Sequence, residues 1–334
     1  MGAQGIGLCR TGVRVADSTV ETIDAAFNRG EVVRSWPMRG TLHAFSARDA
    51  AWLVAFFGDR NRRRIAARQR FLGIDEREVT RARGLAEKLL ARGPATREVL
   101  LDALERGGVP TGNQRGVHLV WSLAQLGVLA LGPVIDDEHA FVLLDAWVKK
   151  PRRLTGDEAL GELAARYFAG HGPATVSDLA FWTGLNQGES KRAMEIASIN
   201  TSDVEANAVP KHHALLLPAF DEYFLGYRNR DAVLDPKWFD RVVPGGNGVF
   251  QPLLVVGGRV VGTWKRSVQP RRVQLELLPF EPLTSSAGRA LESAAHAFAR
   301  FYQRPVELEF TAPRAKRSPR RASPAAGSRA RRSR

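Results

Sequence analysis

"ARGPATREVLLDAL" (Ala91–Leu104) is matched further along the chain by "GHGPATVSDLAFWTGL" (Gly170–Leu185). In each, a Gly-Pro break is followed by a threonine, an early acid and an apolar run. Thr96 and Thr175 are placed to cap the free backbone N–H groups at a helix start, with Glu98 and Asp178 in the first turn against the positive end of the helix dipole. A recurring helix start predicts a recurring module, and the sequence around each copy has the same order: helix, turn, helix, two short strands.

In the first unit "DSTVETIDAAFNRG" (Asp17–Gly30) reads as a helix capped by Asp17 or Ser18, with Val20, Ile23, Ala26 and Phe27 at helical spacing and Gly30 as the stop. "EVVRSWPMRGTLHAF" (Glu31–Phe45) gives two strands around Met38-Arg39-Gly40. A helix follows from Ser46, with Ser46 and Asp49 as a capping box. In the second unit "RGVHLVWSLAQLG" (Arg115–Gly127) is a helix whose apolar face is read as Val117, Val120, Trp121 and Ala124, and "VLALGPVIDDEHAFVLL" (Val128–Leu144) is a hairpin with a polar tip. The third unit combines a helix ending at Gly184, "GESKRAMEIA" (Gly188–Ala197), and strands in "SDVEA" (Ser202–Ala206) and "HHALLLPAF" (His212–Phe220). Beyond Val242 the pattern alternates. Gly257-Gly258 joins two strands as a tight hairpin, "RRVQLELL" (Arg271–Leu278) and "PVELEF" (Pro305–Phe310) keep period two, and a helix lies between them.

The fold class expected is therefore α+β: tandem winged-helix units followed by a small C-terminal β-barrel or half-barrel. The expected boundaries are 1–90 for a first, N-terminally incomplete unit with following helices, 91–150 and 151–235 for the second and third, 236–312 for the barrel-like domain, and 313–334 for a disordered basic tail. Several winged helices in one chain would present a long surface to a duplex.

The 334 residues are 44% hydrophobic and 25% charged, enough for a buried core. No apolar run approaches a membrane span, the N-terminus lacks the pattern of a signal peptide, and the single Cys9 excludes an internal disulfide framework and a cysteine-rich zinc site. A monomer in the cytoplasm, associated with the nucleoid and without membrane contact, is the expectation, with no cofactor. His212-His213 has no acid or cysteine at ligand spacing, so no metal is expected either. Of the net charge of +14, nine positive charges fall between Arg314 and Arg334, where there is no acid, leaving the rest of the chain at +5. Two readings of the tail stand: a polybasic arm on nucleic-acid phosphates, favoured because the body is also basic, or a solubilising end.

Four stretches carry a family likeness: "VVRSWPMRGTLHAF" (Val32–Phe45), "RYFAGHGPATVSDLAFWTGL" (Arg166–Leu185), "LLPAFDEYFLGYRNR" (Leu216–Arg230) and "GGNGVFQPLLVVGGRVVGTWKR" (Gly245–Arg266). Together, in order over roughly residues 10 to 310, the chain resembles the AlkZ/YcaQ-like winged-helix family of bacterial DNA glycosylases. The resemblance implies three tandem winged helices scaffolding a concave DNA channel, a C-terminal β-barrel, and excision of alkylated purines, including the unhooking of interstrand crosslinks. It also implies a Gln-x-Gln or Gln-x-Asp motif whose side chains position the hydrolytic water. Here Gln4 is followed two positions later by Ile6, which can neither position water nor stabilise charge. The departure predicts a chain that binds DNA and excises alkylated purines slowly.

The candidate catalytic residues are Gln4 and the acidic pair Asp221 and Glu222, where a carboxylate near the base could orient water or stabilise an oxocarbenium-like sugar. An ion pair of these acids with Arg228 or Arg230 is the favoured alternative. Double-stranded DNA is the expected partner, with contacts from Arg34, Arg39, His43, Arg228, Arg230, Asn247, Lys265 and Arg266; for His43 a packing role is favoured over a contact. Trp36, Trp182 and Trp264 are candidates for stacking on a flipped base, with core packing favoured. "RNRRRIAARQR" (Arg60–Arg70) is either a charged helix face or a DNA-facing one. Three functions remain open: a repair glycosylase or its inactive relative, a winged-helix transcription regulator, and a non-enzymatic DNA-binding protein.

If the tail binds phosphates, deleting Arg314 to Arg334 weakens duplex binding and flattens the slope of log affinity against log salt, while the thermal midpoint stays where it was. Fluorescence anisotropy at several salt concentrations reads the slope, and an unchanged slope would reject a DNA-binding tail.

Overall fold

The structure, a computed structural model, describes residues 14–136, 138–200 and 209–311. Gln4, the strand expected in Ser202–Ala206 and the 313–334 tail lie outside the described residues. The chain is α+β, with two sheets and helices between and upon them.

The first half builds one four-stranded sheet. Helix α1 (Val20–Asn28) is capped by Thr19, in a capping box with Thr22, rather than by Asp17 or Ser18. Strands β1 (Val32–Ser35) and β2 (His43–Ser46) pair antiparallel, with Val32 opposite Ser46 and Ser35 opposite His43. The turn between them is a single 3₁₀ turn, Met38–Gly40, in which Arg39 has φ 56°. Helix α2 (Ala47–Phe71) then runs for 25 residues. Its expected capping box is absent: Ser46 makes no side-chain cap, and Asp49 is buried, accepting from Trp52 Nε1 at 2.9 Å and pairing with Arg166 at 2.7 Å. Burying an acid is costly unless it is paired, and these donors decide where Asp49 points.

Helices α3 (Glu76–Leu90), α4 (Arg97–Arg106) and α5 (Arg115–Gln125) follow. Thr96 caps α4 as its sequence predicts, accepting from Val99 N. On α5 the buried stripe is Leu119, Val120, Leu123 and Ala124, whereas Val117 is 56% exposed. The leucines, one turn apart, set the face, and Val117 lies outside that stripe. Strands β3 (Leu129–Ile135) and β4 (Glu138–Leu143) form the second expected hairpin, and β3 also pairs with β1 through Arg34 opposite Leu131. The hairpins of two expected units thus share one sheet, in the order β2-β1-β3-β4.

After a short helix α6 (Leu144–Trp147) come α7 (Gly156–His171), α8 (Val176–Thr183) and α9 (Gln187–Ile196). At the second Gly-Pro-Ala-Thr phrase the capping box is complete: Thr175 Oγ1 accepts from Asp178 N at 3.2 Å, and Asp178 Oδ2 accepts from Thr175 N at 2.9 Å.

The C-terminal sheet takes in β5 (Ala214–Leu217), β6 (Leu253–Val256), β7 (Arg259–Val268), β8 (Val273–Pro279) and β9 (Val306–Phe310), in that order. Two short helices, α10 (Glu222–Leu225) and α11 (Phe239–Val242), lie between β5 and β6. Strand β5, expected inside the third unit, pairs with β6, Leu217 opposite Leu253. The expected barrel is an open sheet instead. Strand β9 returns parallel to β8 by way of helix α12 (Ser285–Phe301), so β5 and β9 stand as opposite edges among the described residues. Leu291, Ala295 and Phe298 of α12 share a buried cluster with Trp264, Leu275 and Leu277, joined by Ile23 and Phe27 of α1. Trp264 is 1% exposed and donates to Leu217 O at 2.8 Å, which makes it a core residue, not a base-stacking one.

The hairpin β6–β7 turns on Gly257 and Gly258, at φ 55° and 78°. A Cβ on Gly257 would also approach the Lys211 carbonyl oxygen to 3.0 Å. Replacing both by valine, a β-branched residue in the left-handed region, is expected to cost about 2 to 4 kcal/mol, at about 1 to 2 kcal/mol per residue. The double alanine variant is milder. Thermal melts followed by circular dichroism check this, and a Gly257→Val/Gly258→Val midpoint equal to wild type would contradict it.

Candidate functional site

The two adjacent acids Asp221 and Glu222 have different surroundings. The turn that brings the chain out of β5 carries Phe220 at φ 59° and makes Asp221 the N-cap of α10, its Oδ1 accepting from Tyr223 N at 2.9 Å. The Asp221 side chain is fully buried, and both oxygens accept from Arg14, Oδ1 from Nη2 at 2.7 Å and Oδ2 from Nη1 at 2.9 Å. The expected pairing with Arg228 or Arg230 is not formed among the described residues. Asp221 is committed to holding the chain at Arg14, a residue that sequence reading missed because nothing local links positions 207 apart.

Glu222 has other partners and keeps 37% of its side chain exposed. Its Oε2 accepts from Trp182 Nε1 at 3.0 Å, and His171 Nε2 stands 3.6 Å from the same oxygen. Burial pushes the carboxyl up, but the His171 ring, the charge of His43 and the Trp182 N–H outweigh it and hold Glu222 below the usual glutamate range. It is therefore ionised at neutral pH.

The wall behind Glu222 is aromatic. Tyr167 lies flat on His171, with centroids 4.6 Å apart and planes 12° apart, and Trp182 is 5.1 Å from Tyr167. The Tyr167 hydroxyl donates to Gly226 O at 2.8 Å and the Tyr227 hydroxyl to His171 O at 2.8 Å, so the backbone around α10 is tied to the end of α7. Trp182 is thus packed against Tyr167 while its indole N–H is bonded to Glu222, which agrees with the favoured packing reading. His171 had no sequence signal beyond its place before the Gly-Pro break.

The first hairpin supplies the opposite side. His43 opens β2 and is bonded through Nε2 to Thr41 Oγ1 at 2.8 Å. Arg39 reaches over α8: its Nη1 donates to Phe181 O at 3.3 Å, and its guanidinium carbon lies 5.4 Å from the Phe181 ring centre. Gly184, in the left-handed region at φ 77°, ends α8 there, and a Cβ on it would come within 2.9 Å of Arg39 Cγ. Arg230 lies 5.5 Å from the same Phe181 ring and 4.9 Å from Phe224, with Nε donating to Phe224 O at 2.7 Å.

The other sequence candidates scatter. Arg34 is 4% exposed within the first sheet and cannot meet a phosphate, which removes it from the DNA-facing set. Arg228 is exposed beside a depression of about 500 Å³ that Thr175, Ser177 and Asn229 also line, while its backbone N–H donates to Asp178 Oδ1 at 2.9 Å. Asn247 is exposed, with its oxygen accepting from Val249 N at 2.9 Å. Lys265 is exposed and paired with Glu276 at 3.0 Å, and Arg266 lies 5.8 Å from the rings of Phe298 and Tyr302. In the run from Arg60 to Arg70, Arg60 pairs with Glu189, Arg62 with Glu76, and Arg68 bonds to Gln114, so part of that face is structural.

The sequence pattern of the family described as DNA glycosylase AlkZ-like matches residues 11–301. The chain is 24% identical over 298 residues to an interstrand DNA cross-link repair glycosylase of Streptomyces sahachiroi, covering 80% of this chain and 78% of that protein. It is also similar in fold to the solved structure of the Streptomyces sahachiroi DNA glycosylase AlkZ, with a TM-score of 0.72 and 21% identity over 92% of this chain and 89% of that one.

The buried Asp221–Arg14 bridge is expected to matter for stability. Asp221→Ala should cost about 1 to 3 kcal/mol, the lower part of the range for a broken buried pair because Arg14 is half-exposed and can rehydrate. A double-mutant cycle with Arg14→Ala in denaturant melts measures the coupling, and strictly additive losses would show that the bridge holds nothing.

Proposed function

The chain belongs to the AlkZ-like DNA glycosylase family, and we propose that it binds duplex DNA and hydrolyses, slowly, the N-glycosidic bond of an alkylated purine with Glu222 as the reacting carboxylate. In this reading the helix-and-hairpin units of the three N-terminal segments, 1–90, 91–150 and 151–235, act as winged helices along the duplex, and the protein works as a monomer on the bacterial chromosome. The substrate class includes interstrand cross-links, by analogy with the relative whose name specifies that activity. Arg228, Asn247, Lys265 and Arg266 are placed as backbone contacts, which need exposed positive or amide groups and no base reading.

The observation that carries this reading is the state of Glu222: a partly exposed carboxylate held ionised against an aromatic wall. An ionised carboxylate cannot protonate a departing base. It suits the other half of the reaction. When the C1′–N bond of an N7-alkylpurine breaks, the electron pair leaves with the base, which departs neutral, and positive charge develops on the sugar. Water then adds at C1′ and loses a proton. A fixed anion beside C1′ stabilises that charge, and the partial exclusion of water strengthens its effect. With Ile6 where the family motif has a second polar residue, more of the stabilisation falls to Glu222, and the reaction is slower for it.

Glu222→Gln is expected to lower single-turnover release of 7-methylguanine from duplex DNA by on the order of a hundred- to a thousandfold, equivalent to about 3 to 4 kcal/mol, while binding to a duplex with an abasic-site analogue changes little. Ile6→Gln should raise the wild-type rate. Equal release by wild type and Glu222→Gln would remove the carboxylate from the chemistry.

A further inference from the structure

Arg39 and Arg230 approach the ring of Phe181 at almost the same distance, 5.4 and 5.5 Å from its centre, from two parts of the chain that the fold brings together. Each is half-buried. Neither is in an ion pair among the described residues, whereas other partly buried guanidinium groups of the chain are: Arg60 with Glu189, Arg166 with Asp49. Arg39 gives one N–H to the Phe181 carbonyl while its Nε, also buried, has no partner among the described residues. Arg230 gives its Nε–H to Phe224 O, and its terminal amino groups are in no hydrogen bond among the described residues. Arg64, exposed on α2, adds a third positive charge on the Arg39 side.

Two like charges drawn out of water next to one another are unfavourable unless something negative joins them. The protein leaves them so while putting the two acids of this turn, Glu222 and Asp221, to other uses. Glu222 acts on Arg39 through space but spends its hydrogen bond on Trp182, and Asp221 is closed off by Arg14. What it supplies is rigidity: Phe181, Phe224 and Phe250 hold the Arg230 guanidinium by cation–π contact, and the left-handed backbone of Arg39 with the bare Gly184 against its stem fixes the other. Arg230 keeps both terminal amino groups, and Arg39 keeps Nη2, out of any hydrogen bond among the described residues, to meet a tetrahedral oxyanion.

We infer that Arg39 and Arg230, set about Phe181, form a seat for one phosphodiester of the DNA strand, the one flanking the nucleotide whose sugar faces Glu222. The inference rests on the proposed glycosylase reading and deepens it: the pair fixes the strand at one phosphate so that C1′ stands before Glu222, a positioning role, not a catalytic one. Burial lowers the proton affinity of both guanidinium groups; on Arg39 the charge of Glu222 opposes this and that of Arg64 adds to it, and on Arg230 the charge of Arg39 adds to it.

The test is binding of the full chain to a duplex carrying a tetrahydrofuran abasic analogue, with one phosphate at a time replaced by an uncharged methylphosphonate around that position. Wild-type affinity should fall on the order of tenfold at one linkage next to the analogue and much less at the others, as loss of a charge-assisted bond implies. Arg230→Gln should bind the all-phosphate duplex correspondingly less well, be indifferent to that single replacement, and show a salt slope shallower by about 1. Arg230→Lys should recover part of the affinity, and Arg39→Gln, checked for folding by its melt, should repeat the pattern. A variant that loses as much as wild type at that linkage would overturn the seat, as would a wild type indifferent to every linkage. Duplex binding with either of those outcomes leaves the glycosylase reading standing. Failure of the wild type to bind the duplex at low salt would overturn both.

Discussion

The turn from Phe220 to Glu222 is the constraint on which the rest of the site depends. A non-glycine residue in the left-handed region is uncommon, and here it stands just before two neighbouring carboxylates that take different partners. Asp221 goes inward, caps α10 and closes on Arg14. Glu222 goes outward to Trp182 and His171. Asp221 is thereby given to structure, while Glu222 stays partly exposed.

Trp182 and His171, the two residues closest to the Glu222 carboxylate, are held by helix ends. Trp182 sits near the end of α8, whose start is fixed by the capping box of Thr175 and Asp178. The other oxygen of Asp178 accepts from Arg228 N, so the same side chain secures the loop that carries Arg230. His171 closes α7 and is pinned by Tyr167 on one side and the Tyr227 hydroxyl on the other. Arg39 and His43 arrive from the first hairpin, whose strand β1 is anchored to β3. A protein that must act on one nucleotide of a long polymer needs its reacting group on packed elements and not on loops, because a displacement of about 1 Å costs catalysis dearly. The two Gly-Pro-Ala-Thr phrases are thus not equivalent: the first starts a helix of the larger N-terminal core, and the second starts the helix that carries Trp182 to Glu222.

Much of this was legible in the sequence. Period-two alternation placed β6 to β9, Gly257-Gly258 placed the tight turn, and the Thr-led helix starts placed α4 and α8. Four motifs in order pointed to the family, and the acidic pair was marked as the place to look. Long-range partnership was not legible. Nothing in the neighbourhood of Asp221 names Arg14, nothing near Asp49 names Arg166, and the pairing of β1 with β3 depends on the two hairpins meeting in space. The expected barrel failed for a related reason: alternation reports that a strand has a buried face, not whether the sheet closes, and α12 covers that face instead. Arg34 shows the limit for charged residues, since an arginine on a strand looks the same in sequence whether its side chain meets solvent or the inside of a sheet.

The most direct test of an ionised Glu222 at the reacting carbon is the pH dependence of single-turnover 7-methylguanine release. A group whose folded pKa is depressed stays charged down to that pKa, so the rate should hold level from about pH 8 down past the ordinary glutamate value of about 4.3 and fall only below it, and this acid limb should be absent in Glu222→Gln. A rate that falls through about pH 6 to 7, with the same profile in wild type and Glu222→Gln, would assign the titrating group to a histidine and contradict the role given to Glu222.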